Sequence, residues 1–435
     1  VYIPEWRKKM KRIEKIWRDL LKHTKRNEPS FLTGRVDAYY HRTRDPQAGG
    51  HILEGRLPGD DAIRLVSNDY LSIAGHKKIR QARIDALQES ENEMLRSGVY
   101  RFGEDSQARF EQQIAEWASA ESALLSQSGW SANVGLVQSI AAPEVPVYVD
   151  MMAHMSLWEG IKSAGATPRP FRHNNVESLE KLVQKHGQGV ILVDSLYSTS
   201  GTLCPLTEVV EIAERSGCML VVDESHSLGV IGEKGEGMVS DLGLADRVDF
   251  RTASLSKAFA GRGGIIIGSK RHIEYIKYES FPSIFSSGVH EYDIAGFSAA
   301  LEVIQTENHR REKMRDNADF LRHRLDSMGY DVSASQSQIM SMVPGPENQT
   351  IVFRDALEAR GVFGSVFCAP ATPKNRSLVR FSINANVTQE MLTRVADVCC
   401  EVRDIVGADQ WLSTAKKDRK RPQPKFFVPE PSIAI

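Results

Sequence analysis

Residues 189–224 read GVILVDSLYSTSGTLCPLTEVVEIAERSGCMLVVDE. Two short β-branched apolar runs, GVILVD (189–194) and CMLVVDE (218–224), flank the helical stretch LTEVVEIAERSG. Continuous apolar strands that alternate with helices predict a parallel sheet covered on both faces, since neither strand shows a polar face. VPVYVD (145–150), RVDFRTAS (247–254) and GGIIIGS (263–269) extend the same texture, with VESLEKLVQKH as a further connecting helix. The fold class expected is therefore α/β, with a mostly parallel central sheet. In such sheets ligands sit outside the carboxyl ends of the strands. That directs attention to residues 150–154, 194–198, 223–226 and 254–257.

Beyond residue 291, a long charged helix (ALEVIQTENHRREKMRDNADFLRHRLDSMG) leads to the strand-like pieces SQIMSMV and SLVRFSIN, which predict a smaller α+β domain. Four segments follow: 1–60, a helix and connector; 61–290, a large domain; 291–412, a small domain; and 413–435, a basic, proline-rich tail. Trp6, Met10, Ile13, Trp17, Leu20 and Leu21 recur at helical spacing, with Lys and Arg between them. That helix packs on the body or a partner subunit, or else binds an acidic or membrane surface. Residues 27–60 are polar and read as a connector.

The whole chain has 435 residues, 55 Lys+Arg against 56 Asp+Glu, a net charge of −1 and 41% hydrophobic residues. This is the balance of a soluble globular protein, and it argues against a nucleic-acid binder. No run approaches the roughly 18 apolar residues of a membrane span. The N-terminus lacks a secretory apolar core. The odd set Cys204, Cys218, Cys368, Cys399 and Cys400, with no C-x-x-C spacing, fits reduced cytoplasmic thiols.

Lys257, in TASLSKAFAGRGGI, follows a strand end among small residues that leave room for a bulky group. A Schiff-base lysine needs such a tethered, partly desolvated amine. Asp223 ends a buried strand, where a carboxylate needs a cationic partner; a pyridinium nitrogen would serve, as would a simple capping role in the next turn. His226 lies three residues on. The Asp-Glu-x-His pattern also occurs in helicases, but these require an upstream phosphate loop. The nearest approach, GGIIIGSK at 263–270, lies downstream with Ser before the Lys. Ser128-Gly129-Trp130 sits at a turn before an apolar helix, a natural anion site, and Ser254 and Ser256 offer hydroxyls beside the lysine. His154 follows another strand end, where an imidazole can stack on a flat ring. His154, His173 and His226 lack chelating spacing, so no metal is expected.

These motifs, in the order SGW-A-N, H-x-S, D-S-x-Y-S, D-E-x-H-S-x-G, S-x-x-K and R-F-S, resemble those of the α-oxoamine synthases. The resemblance spans about Ser67 to Asn384. That family comprises fold-type I enzymes dependent on pyridoxal 5'-phosphate (PLP), which condense an amino acid with an acyl-CoA. Longer stretches, among them LLSQSGWSANVG, VDSLYSTSGT and GVFGSVFCAPATPKN, are similar to the branch that makes α-hydroxyketone signals for quorum sensing. The resemblance implies a medium- or long-chain acyl-CoA and a small amino acid or S-adenosylmethionine-derived donor. It also implies a homodimer with shared sites.

By position, Lys257 would hold the cofactor, Asp223 face the ring nitrogen, and His226 with Ser198 contact the phenolic oxygen. His154 would stack on the ring. Ser128, Gly129, Trp130 and Ser254 would bind the phosphate, with Ser286 and Ser287 supplied by the neighbouring subunit. Arg380 would grip the substrate carboxylate, with Asn68, Tyr70 and Arg101 also at the substrate site. The chain departs from the family pattern at Ser97-Gly98-Val99-Tyr100-Arg101, at Gln107 where a histidine is expected, and at Ser198-Thr199-Ser200-Gly201-Thr202, where two acids are gone. These departures argue against simple assignment to the glycine-, alanine- or serine-using members. Serine palmitoyltransferase-like and 8-amino-7-oxononanoate synthase-like readings stay open, as does, more remotely, an aminotransferase.

Overall fold

In the computed structural model the described residues are 29–43, 51–89, 96–411 and 413. The chain divides into two units, 1–60 and 61–435. In the first, Ser30–Thr43 is a helix, which corrects the connector expected over residues 27–60. Its stripe of Leu32, Val36 and Tyr40 is only three residues long and flanks Gly34, too short a signal to stand out in the sequence. Thr43 closes its last turn by donating to the Tyr39 carbonyl at 2.7 Å. The basic helix read at 6–26 lies outside the described residues, as does the tail from 414 onward.

Among its described residues the second unit carries eleven strands: β1 (Ile63–Leu65), β2 (Ser122–Ser126), β3 (Val147–Asp150), β4 (Pro168–Phe171), β5 (Val190–Asp194), β6 (Met219–Asp223), β7 (Phe250–Ser254), β8 (Gly264–Gly268), β9 (Ile339–Gly345), β10 (Val362–Phe367) and β11 (Ser377–Ser382). Seven form one sheet in the order β2-β8-β7-β6-β5-β3-β4. Only β8 runs against its neighbours; the other pairings are parallel. β4 holds two prolines, which an edge strand tolerates because one side of it needs no ladder donor.

The apolar runs are explained by their two faces. Val190, Leu192 and Val221 point into one core with the helices Gly129–Ile140 and Met155–Ser163. Ile191, Val193, Leu220 and Val222 point into the other with Val176–His186 and Leu206–Ser216. Registers of Asp194 on Asp223 and of Asp223 on Thr252 bring the strand ends level, so the residues after them converge.

The smaller sheet runs β1-β10-β11-β9. Two boundaries differ from the expected ones. Residues 63–65, read with the large domain, pair with Val362–Gly364 of β10 in the small sheet. The long helix expected after 291 is two helices, Glu291–Thr306 and His309–Ser327. The first buries Ile294, Phe297 and Leu301 in the large-domain core beside Phe110 and Leu255. At the break, Glu307 accepts from His76 Nε2 at 3.1 Å and Arg310 Nε at 2.7 Å, side-chain partners that fix the chain's change of direction. Among the described residues no helix is long and apolar enough to cross a membrane.

Candidate active site

A cleft opens at the level ends of β5, β6 and β7, and Lys257, Asp223, His226, His154 and Ser254 line it. Lys257 is held by its neighbours in the turn after β7. Leu255, Ala258 and Phe259 are buried in the core, and the Leu255 N–H donates to the Gly263 carbonyl at 2.9 Å. The amine between them has no hydrogen-bond partner among the described residues. Burial holds its pKa below the usual lysine value, against the pull of Asp223 and Asp194 and with that of Arg380.

Asp223 is 3% exposed. Its Oδ1 accepts from the Ser225 N–H at 2.8 Å and its Oδ2 from Asn133 Nδ2 at 2.6 Å. His226 sits below the usual imidazole range, chiefly because it is buried and secondarily because Lys257 and Arg380 are near. Its Nδ1 lies 2.7 Å from the Tyr70 hydroxyl, and Gln338 Nε2 donates to its carbonyl at 3.0 Å. His154 caps the helix Met155–Ser163, and its own N–H donates to Asp194 Oδ1 at 3.1 Å. Burial lowers its pKa too, and the Trp130 ring meets it edge-on, centroids 6.2 Å apart.

Ser128 caps the helix Gly129–Ile140, accepting from the Ser131 N–H at 3.0 Å. A Cβ at Gly129 would lie 2.4 Å from Ser254 Cβ, so only glycine lets this helix start abut the end of β7. The resulting cradle joins free helix N–H groups to the Ser254 and Ser256 hydroxyls, 2.8 Å apart, which suits a phosphate. An unpartnered amine, a buried carboxylate and an anion cradle around one cleft together match the aldehyde, ring nitrogen and phosphate of PLP. The residues fit the cofactor.

Arg380, on β11, reaches across from the small sheet. Its Nη1 donates to the Ser198 carbonyl at 2.8 Å and its Nη2 to Asn68 Oδ1 at 3.0 Å. It stacks on Phe367, 4.8 Å from the ring centroid, and no carboxylate pairs with it among the described residues. Tyr70 is fully buried with its hydroxyl on His226, so it braces that histidine.

Arg101, expected at the substrate site, bonds through its guanidinium to Asp105 at 2.9 Å, to Glu291 and to the Val289 carbonyl. Ser286 and Ser287 also lie outside the cleft of their own chain, where Ser287 bridges Ser97. At the departures, Gln107 donates to Glu111 at 2.7 Å, and burial pushes that carboxyl up to about 7. Thr202 bonds to His173 Nε2 at 2.9 Å, and His173 Nδ1 to Asp150 at 3.0 Å.

Sequence reading missed Asn133, Asp194, Thr252 and Gln338 as site-forming residues. Asn133 stood within SGW-A-N and Asp194 within D-S-x-Y-S, so both had a signal without a role. Thr252 and Gln338 had none, because only register and sheet docking bring them in.

The model of the aminotransferase class I and II family matches residues 60–398. The CAI-1 autoinducer synthase of Vibrio campbellii is 45% identical over 374 residues, covering 86% of this chain and 95% of that protein. The 8-amino-7-oxononanoate synthase of Alkaliphilus metalliredigens is 30% identical over 360 residues, covering 80% and 90%. The high-resolution structure of SPT with PLP internal aldimine superposes with a TM-score of 0.77 at 25% identity, covering 87% of this chain and 98% of that one. With that fold, that sequence kinship and a cleft built for PLP, the chain belongs to the aminotransferase class I and II family and, within it, to the α-oxoamine synthases, PLP-dependent acyltransferases that include the autoinducer synthases.

Proposed function

We propose that this enzyme condenses a medium- or long-chain acyl-CoA with a small amino acid or S-adenosylmethionine-derived donor to give the aminoketone-type precursor of an α-hydroxyketone signal. For an amino-acid donor, the α-carbon bonds to the acyl carbonyl carbon, the C–S bond breaks to release CoA thiol, and the donor's carboxyl leaves as CO2. One observation carries the reading: the free Lys257 amine shares a cleft with Asp223, while Arg380, near enough to depress the Lys257 pKa, has no carboxylate partner among the described residues. The kinship with the V. campbellii CAI-1 autoinducer synthase supports the choice of product class.

PLP supplies an aldehyde for covalent capture of amines and a ring that accepts electrons from the substrate α-carbon. Lys257 would hold that aldehyde and then, released as an amine, take the α-proton on Nζ. Asp223 would face the ring nitrogen. His226 and Ser198 would contact the phenolic oxygen, and His154 would lie on the ring. Ser128, Gly129, Trp130 and Ser254 would hold the phosphate. Arg380 would take the donor carboxylate as a bidentate pair, with Asn68 beside it. A dimer in which Ser286 and Ser287 reach the partner's cleft accounts for their position outside their own.

The test is mass spectrometry of products from a grid of acyl-CoA lengths and amino donors, with CoA release followed in parallel. Donor-dependent CoA release with a ketone product is the expected result. Amino-group exchange without CoA release would overturn the reading in favour of an aminotransferase.

A further inference from the structure

Asn133 lies one turn into the helix Gly129–Ile140 and is 2% exposed. All three of its side-chain hydrogen bonds go to groups in or behind the cleft. Its Nδ2 donates to Asp223 Oδ2 at 2.6 Å and to Ser156 Oγ at 2.8 Å. Its Oδ1 accepts from Thr252 Oγ1 at 2.5 Å. The amide can face only one way, because an ionised carboxylate offers no proton and so needs the NH2 end. Asn133 fills one of the two acceptor sites of the Ser156 hydroxyl, and the one acceptor in reach of that hydroxyl's proton among the described residues is His154 Nδ1, 2.7 Å away. The Ser156 N–H also points at Nδ1, at 3.3 Å. An Nδ1 that accepts twice carries no proton, so the neutral ring bears it on Nε2.

The packing that makes this chain possible is visible one turn further along. Gly160 lies on the same face of its helix as Ser156, and a Cβ there would fall 2.7 Å from Val137 Cβ and 3.2 Å from the Asn133 carbonyl. Any larger residue would push the two helices apart and draw Ser156 out of reach of Asn133.

We propose that Asn133 is a positioning residue that couples the Asp223 carboxylate to the His154 ring, fixing one oxygen of the first and the Nε2–H tautomer of the second through Ser156. The inference rests on the proposed placement of PLP between Asp223 and His154. Asp223 then presents one oriented oxygen to the ring nitrogen, and His154 keeps its lone-pair nitrogen turned away from the cofactor. A disturbance at either group is passed to the other through one amide.

The holoenzyme, labelled with 15N-histidine and reconstituted with PLP, provides the test. Long-range 1H–15N correlation should show His154 as the Nε2–H tautomer in the wild type. Asn133→Asp replaces the amide donors with a carboxyl that must share a proton with Asp223 and no longer donates an N–H to Ser156, so the His154 ring nitrogens should shift toward a mixture of forms. The PLP dissociation constant should rise about tenfold, as the shared proton takes negative charge from the Asp223 oxygen that faces the ring nitrogen. Ser156→Ala, a milder change, should move the His154 signals while leaving the PLP dissociation constant within about twofold. An Nδ1–H tautomer in the wild type, or His154 signals unmoved in Ser156→Ala, overturns the proposal even where Asn133→Asp fails to fold. Failure of the wild type to form any covalent PLP adduct would instead sink the functional reading, and the two failures are told apart by the visible spectrum.

Discussion

At Lys257 the protein does something costly: it holds an amine near carboxylates without pairing it to either. Desolvation lowers its proton affinity, which raises the share of neutral amine able to attack a carbonyl. Lys257→Ala should therefore abolish the covalent, borohydride-fixable PLP linkage and cut turnover at least about a hundredfold, read by visible absorbance and peptide mapping. Asp194 bears a different cost. Burial, with Asp223 beside it, raises its pKa well above the usual carboxylate value. The folded state then holds a proton that the unfolded chain has released, so stability falls as pH rises above the ordinary carboxylate range. Asp194→Asn keeps an acceptor for the His154 N–H. It should raise the urea midpoint at about pH 7, with the gain shrinking toward about pH 4. His226 acts with the opposite sign: its folded pKa is depressed, so its contribution is present at neutral pH and is lost as pH falls through the usual imidazole range.

At the scale of elements, the site depends on where a helix begins. The helix Gly129–Ile140 can offer its N–H groups to an anion because it starts against the end of β7, which Gly129 alone permits. Gly129→Ala must move that helix start by the depth of a methyl group. The expected result is a PLP affinity weakened about a hundredfold with the fold retained, measured by equilibrium dialysis. Native-like affinity in a folded variant would place the phosphate elsewhere.

For the molecule as a whole, the two sheets meet at Arg380. The loop at Ser198–Leu203 belongs to the large domain, yet Ser198 accepts from Arg380, Thr199 from Ser341, and Gly201 from the Gln336 N–H at 2.9 Å. A donor carboxylate on Arg380 would thus bridge both sheets and favour closure. Arg380→Ala should lower kcat/KM for the amino donor about a hundredfold, through KM, while PLP still binds. Steady-state kinetics beside a cofactor titration checks this, and an unchanged donor KM would remove Arg380 from the substrate site.

Much of this was legible in the chain itself. The unbroken apolar runs at 190–194 and 219–223 announce strands buried on both faces, and their terminal acids mark the ligand end of the sheet, because local periodicity reports burial directly. Lys257, Asp223, His226 and His154 stand at or just after strand ends, where the sheet directs attention, while their roles toward a cofactor come from the family resemblance and not from periodicity. What the chain could not disclose were relations between distant residues. That β1 joins the small sheet, that Arg101 is spent on Glu291, that Tyr70 braces His226 and that Asn133 ties Asp223 to His154 each depend on register and helix approach. Those are set by packing across more than 20 residues of separation, and no local pattern encodes them.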